Sequence, residues 1–203
     1  TLTWDGTATE SDYTLSENLG TLTITASTKE LKVVSADGEW TYDGDAHTKY
    51  EYTVTYGDES YTVTIGEGET SGTATLSTKD VVTITPASSA TITHVAESDV
   101  DNAFTYEVTN TAQYSSQEKE EGKLTVNAAT LTITTESASG EYNGEALTAD
   151  GSISGFVTPT DGEQETATFT VTGSQTTVGS STNSYTLTWD GTATESDYTL
   201  SEN

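Results

Sequence analysis

The sequence predicts an all-β chain of tandem β-sandwich domains, and three observations predict it. Apolar or aromatic residues alternate with Thr, Ser or Glu in one short run after another, the period of a strand with one buried and one wet face. Gly, Asp, Ser and Asn punctuate the runs every ~8–12 residues, the rhythm of a sandwich or barrel. The 18 residues TLTWDGTATESDYTLSEN occupy both 1–18 and 186–203 without a mismatch, a spacing of 185 residues. Self-similarity at a fixed period marks a repeat protein, and this period is long enough for one or two whole domains.

The alternating runs, in order, are TLTITAS (21–27), YEYTVTYG (50–57), SYTVTIG (60–66), TATLS (73–77), VVTITP (81–86), ATITHV (90–95), AFTYEVTN (103–110), KLTVN (123–127), TLTITTES (130–137), TATFTVTG (166–173) and SYTLTW (184–189). Thr fills 46 positions. It is β-branched and suits a pleated, half-buried surface. Pro86 and Pro159 sit at run ends, where a missing N–H is tolerated.

A weaker repeat lies within the long one. Leu31 to Thr48, containing Tyr42-Asp43-Gly44-Asp45-Ala46, aligns with Leu131 to Thr148, containing Tyr142-Asn143-Gly144-Glu145-Ala146. Tyr13…Gly20-Thr-Leu-Thr-Ile aligns with Tyr114…Gly122-Lys-Leu-Thr-Val. Each domain therefore opens on a strand and a Tyr-[Asp/Asn]-Gly turn, and closes on a Gly-x-Leu-Thr-[Ile/Val] strand. The expected boundaries are 1–27, the C-terminal part of a preceding repeat domain that carries a closing strand at Leu19–Ala26; 28–126, a first whole domain; and 129–203, a second domain lacking its closing strand. Linkers of only a few residues predict a semi-rigid rod.

Composition excludes several function classes. The 33 acidic residues face 6 Lys, a net charge of -27. Nucleic-acid binding needs a cationic footprint, and so does an anionic membrane surface. Without Cys there is no disulfide, thiolate metal site or Cys nucleophile. No apolar run approaches the ~20 residues of a membrane-spanning helix.

The chain resembles the repeat regions of large Gram-positive cell-surface adhesins, with their Tyr-Asp-Gly-type stalk domains. The residues that carry the likeness are Tyr42-Asp-Gly-Asp-Ala-x-Thr, Tyr142-Asn-Gly-Glu-Ala-x-Thr, Val171-Thr-Gly-Ser-Gln-Thr-Thr-Val-Gly-Ser-Ser-Thr-Asn183 and Tyr13…Gly20-Thr-Leu-Thr-Ile. The middle of the first domain, about 57–100, departs from the pattern. The resemblance implies Ig-like sandwiches, or alternatively β-grasp-like modules, repeated in an elongated rod. It implies an extracellular location on a bacterial cell wall and a structural stalk or fibre that projects a distal adhesive module. The alternative is a repeated weak-affinity module for host glycan or matrix protein, gaining avidity by repetition.

Candidate chemistry is sparse. Tyr42-Asp43-Gly44 and Tyr142-Asn143-Gly144 read as turns, with Asp or Asn and Gly supplying the special backbone and the Tyr acting as a core anchor. Glu97, Asp99 and Asp101 alternate along Glu97–Asn102, and Asp43 and Asp45 share a turn. These are the candidate ligands for a calcium cofactor, which takes six to eight oxygens. No complete calcium-loop motif accompanies them. Lys32 on the opening strand is the only pointer to a Lys–Asn crosslink, and 129–203 holds no Lys. His47 and His94 lie in no nucleophile motif, and no phosphate-binding glycine loop is present, so no enzyme is expected. Trp4, Trp40 and Trp189 read as packed rings. The expected partners are neighbouring repeats of the same chain. Head-to-tail self-association is also expected, through the Leu19–Ala26 strand filling the edge left open in 129–203.

Overall fold

The computed structural model describes residues 2–202. It is an all-β structure; its longest helical segments among the described residues are single 3₁₀ turns. The first unit holds β1 (Ser27–Ser35), β2 (Gly38–Thr41), β3 (Glu51–Tyr56), β4 (Glu59–Thr64), β5 (Gly72–Thr75), β6 (Val81–Pro86), β7 (Val100–Asp101), β8 (Phe104–Val108), β9 (Tyr114–Glu120) and β10 (Lys123–Asn127). The second holds β11 (Ala129–Thr135), β12 (Gly151–Ser154), β13 (Thr168–Val171), β14 (Tyr185–Thr188) and β15 (Tyr198–Glu202). Among the described residues no sheet mixes strands of the two units, and only Ala128 separates β10 from β11.

In the first unit the sheets run β4-β3-β1-β9, β2-β10-β7 and β5-β6-β8. The closing segment serves two sheets. β9 lies parallel to β1, and after Gly122 the chain continues as β10, parallel to β2. Gly122 is needed at this crossing, because a Cβ there would stand 2.6 Å from the carbonyl carbon of Ala36. The second unit repeats the plan with fewer strands. β12-β11-β15 matches β3-β1-β9, with β11 and β15 parallel, and β13-β14 matches β6-β8. No strand in the position of β10 follows β15 among the described residues.

Alternation placed the cores. β3 buries Tyr52, Val54 and Tyr56 and turns its Thr residues outward. These pack with Leu31, Val33, Val82, Ile84 and Phe104 between the sheets of the first unit. A second apolar cluster straddles the units. Tyr42, Ile92, Leu124 and Val126 of the first meet Ala129, Leu131, Ala193 and Tyr198 of the second.

Two expected strands do not form. The run 21–27 pairs with nothing among the described residues until β1 begins at Ser27. A strand is stabilised by cross-strand neighbours, and this segment has none among the described residues. The run 90–95 contributes one bridge, Ile92 to His47, before the 3₁₀ turn Val95–Glu97.

Candidate functional site

The densest polar chemistry lies where the units meet. Glu165, 8% exposed, sits between two phenols. Tyr42 of the first unit donates its hydroxyl to Oε1 at 2.6 Å, and Tyr198 of the second donates to Oε2 at 2.5 Å. Val157 N–H donates in turn to the Tyr198 hydroxyl oxygen. The two rings meet edge to face with centroids 5.6 Å apart, and Trp189 stacks on Tyr198. Burial and then the carboxylate beside them push both phenols far above the ordinary tyrosine range. A carboxylate out of water needs such donors, and the phenols supply them.

A second clamp joins His94 and Asp197. Asp197 is fully buried; its Oδ2 bonds His94 Nδ1 at 2.8 Å and its Oδ1 accepts from Val95 N–H at 2.9 Å. A third runs from Asp45 to Thr160, whose N–H and hydroxyl both donate to the carboxylate. Those bonds hold the Asp45 carboxyl below its usual range.

The turns form as the sequence predicts. Asp43 Oδ1 accepts from Asp45 N–H and Asn143 Oδ1 from Glu145 N–H, and Gly44 and Gly144 take φ of +82° and +85°. Their tyrosines part company. Tyr42 is 4% exposed, whereas Tyr142 is 70% exposed and anchors no core. The second unit covers Tyr42, and no unit stands against Tyr142 among the described residues.

The five candidate calcium ligands are each engaged by the protein. Glu97 accepts from the N–H groups of Thr93 and His94, which hold its pKa down. Asp99 accepts from the Thr125 hydroxyl, and Asp101 pairs with Lys123. Asp43 faces His47. Among the described residues no three His, Cys, Asp or Glu side chains gather as a metal-holding group. Lys32 pairs with Glu120. Trp40 stacks on His47, and Trp4 lies beside Tyr13.

Sequence reasoning missed Glu165 and Asp197, which carry two of the three clamps, and Asn102. Asn102 is fully buried, with Nδ2 donating to the carbonyls of Ala36 and Lys49. Asn183 does the same in the second unit, donating to Glu136, Ala149 and Asp150. The signal was present as Asn102-Ala-Phe-Thr and Asn183-Ser-Tyr-Thr. Asn102 also fixes the closing strand: its N–H donates to Gly122 C=O, while Gly122 N–H donates to Ser35 Oγ, which bonds Asn102 C=O.

A groove of about 530 Å³ in the second unit is lined by residues 138–143, 145–147 and 175–181, next to the smaller cleft that Asn183 lines. Comparison of the chain with family models, with curated proteins and with solved structures returned no match.

Proposed function

We propose that this chain is a section of a tandem-repeat stalk of a bacterial surface adhesin or fibre, built of Ig-like sandwich units and holding a distal binding module away from the cell wall. The observation that carries the reading is the junction. A single residue links β10 to β11, and one apolar cluster with three polar clamps spans the two units. Such a junction resists bending, which is what a spacer must do. Units joined by an ordinary flexible linker move independently.

Small-angle scattering tests it. A stalk section gives a radius of gyration clearly above the about 17 Å of one compact body of this length and far below the about 48 Å of a disordered chain. A value near the compact limit rejects the stalk.

One observation favours the second reading, a repeated weak-affinity module for host glycan or matrix protein. The groove of the second unit presents Tyr142, an exposed aromatic face of the kind that stacks on sugars. Binding to a glycan or matrix panel that Tyr142→Ala abolishes supports it.

A further inference from the structure

We propose that Asn143 is a site of spontaneous self-modification, at which the Gly144 backbone nitrogen attacks the side-chain amide and the turn converts to aspartyl and isoaspartyl forms. The sequence singles the residue out. Of the seven Asn, Asn143 alone is followed by Gly. A side chain on the following residue crowds the attacking nitrogen and restricts its backbone, and glycine does neither. A Cβ built on Gly144 would meet nothing within 4 Å, and residues 142–145 are all exposed, so water reaches the site.

The hydrogen bonds single it out again. Asn102 and Asn183 have Nδ2 pinned by buried carbonyls, as described above. Asn110 Nδ2 is held by Asp80 at 2.8 Å and Asn127 Nδ2 by Glu39 at 2.7 Å. Asn18 is exposed but is followed by Leu19. Asn143 Nδ2 and Gly144 N–H have no partner among the described residues, so neither the leaving group nor the nucleophile has a bond to give up. The one bond that the Asn143 side chain makes favours the attack. Its Oδ1 accepts from Glu145 N–H at 2.9 Å, and the ring closed by that bond contains both Cγ and the Gly144 nitrogen. Oδ1 is also the atom that takes up negative charge when Cγ is attacked, so a donor already stands where the charge develops. Seating a neighbouring unit leaves such a site open. Asp43 holds the matching place in the first unit, with Pro159 of the second packed against Gly44, and its side chain is still 53% exposed. Asp43 is tied to His47 Nε2, whereas Leu147 stands in that place in the second unit and offers no bond.

The step is redox-neutral and its only co-reactant is water. Hydroxide takes the Gly144 amide proton, and the nitrogen forms a bond to Asn143 Cγ. The Cγ–Nδ2 bond breaks, and the nitrogen leaves as ammonia with a proton from water, which restores the hydroxide. The product is a cyclic imide. Water then opens it on one of two sides. Breaking the new Cγ–N bond returns an intact main chain with Asp at 143, the same Tyr-Asp-Gly turn that the first unit carries. Breaking the bond between the main-chain carbonyl and the nitrogen leaves isoaspartate, with the backbone running through Cβ and Cγ and one carbon longer. Each product gains a negative charge. The first keeps the turn, since Asp43 makes the same forward bond to Asp45 N–H. The second moves Tyr142 relative to Glu145. The turn that presents Tyr142 therefore starts as one species and ages into two.

The test is incubation of the whole chain at neutral and at mildly alkaline pH, followed over time by peptide mapping with mass spectrometry. Asn143 is expected to convert before any other Asn, with a mass gain of about one dalton and separate aspartyl and isoaspartyl peptides. In oxygen-18 water the product is expected to carry one heavy oxygen, and the rate is expected to rise in proportion to hydroxide. Asn143→Gln, which would have to close a larger ring, is expected to stay unmodified at that position. Glu145→Pro removes the N–H that bonds Oδ1 and is expected to slow the reaction about fivefold, the worth of one ordinary hydrogen bond. The urea-unfolded parent makes the same comparison without a substitution, and it is expected to react more slowly at Asn143 than the folded chain. Another Asn converting first overturns the proposal, as does a folded chain that reacts no faster at Asn143 than the unfolded one. The chemistry needs only the folded second unit, so a compact radius of gyration would reject the stalk and leave this reaction standing.

Discussion

Tyr42→Phe tests whether the two units are one mechanical body. The substitution keeps the ring, and with it the edge-to-face contact to Tyr198. It removes only the hydroxyl that donates to Glu165 Oε1 at 2.6 Å. That oxygen belongs to a carboxylate 8% exposed, so no bulk water replaces the lost donor. A hydrogen bond to a charged group contributes about 1.5–3 kcal/mol. About 2 kcal/mol on a cooperative body of this size lowers Tm by roughly 4–8 °C. The assay is calorimetric unfolding at pH 7 of Tyr42→Phe, Glu165→Gln and the double variant. The double variant is expected to fall short of the sum of the singles by about 1–2 kcal/mol, since the two groups share one bond across the junction. The parent unfolds in one transition, and the variants broaden or divide it as the units uncouple. Tyr142→Phe, in the same motif but exposed, is expected to change stability by less than about 0.5 kcal/mol. A Tm unchanged within a degree for Tyr42→Phe, or strict additivity in the cycle, refutes the clamp.

Asn102→Ala leaves the carbonyls of Ala36 and Lys49 buried without their donor and is expected to cost about 2–5 kcal/mol, read as a shift of the urea midpoint. In alkali, Tyr42 and Tyr198 are raised by burial and by Glu165, and Tyr52 is pushed up to about 12 by burial. A raised folded pKa gives stability that is complete below the unfolded value of about 10 and is lost as pH climbs through the folded values. A 295 nm titration is expected to show at least these phenols ionising later than in denaturant, together with unfolding. In acid, hydrogen bonds lower Asp80 (from Tyr114 and Asn110), Asp45 (from Thr160) and Glu97 (from His94 and Thr93). Their contribution is present above about pH 4 and drains away as pH falls through their lowered values, so Tm is expected to be level from pH 7 to about 5 and to drop below about 4. Calcium at millimolar concentration is expected to leave Tm and the scattering curve unchanged, because Glu97, Asp99, Asp101, Asp43 and Asp45 are separately engaged; a chelator-sensitive curve would restore them as ligands.

Period-2 alternation located β3, β4, β6, β8, β10, β11 and β14 to within a few residues, because burying one face of a strand leaves that mark on the sequence. It missed β2, β7, β9, β12 and β15, and β1 was legible only as the opening strand that the internal repeat placed at Leu31. In β9 only Tyr114 is buried, and the rest is held by backbone bonds to β1. The identical copies show the limit most directly. Residues 195–197 form a 3₁₀ turn and so do 10–12, but 198–202 pair with β11 while 13–17 pair with no strand among the described residues. Neighbouring residues set the turn; a distant strand sets the sheet. Glu165 was illegible for the same reason. Nothing in Gly-Glu-Gln-Glu-Thr distinguishes it from its two exposed-looking neighbours, and its role arises from Tyr42, 123 residues away.

The contrast between Tyr42 and Tyr142 bears on what the Tyr-[Asp/Asn]-Gly turn is for. The local geometry is the same in both: an Asx bond two residues forward and a glycine at φ near +83°. The turn therefore does not depend on the tyrosine being buried. Its rigidity presents the ring at the end of the unit before any neighbour arrives. Where a neighbour stands, the ring finds a carboxylate and a second phenol; where none stands, it is left to solvent. In an array stabilised by nearest-neighbour contacts, each unit then carries half of its junction preformed, and the ordering cost of docking falls on few side chains. The same logic explains why the second unit has so few buried residues of its own: β11 gives Leu131 to the cluster it shares with the first unit. Cutting the chain at Ala128 tests this asymmetry. Residues 27–127 keep their separate core and are expected to fold alone, whereas 129–203 loses the surface against which Leu131 and Tyr198 pack. It is expected to show a weaker, broader melt that sharpens when 27–127 is added back. A second unit that melts alone as cooperatively as within the whole chain would show that the junction joins two finished domains and completes neither.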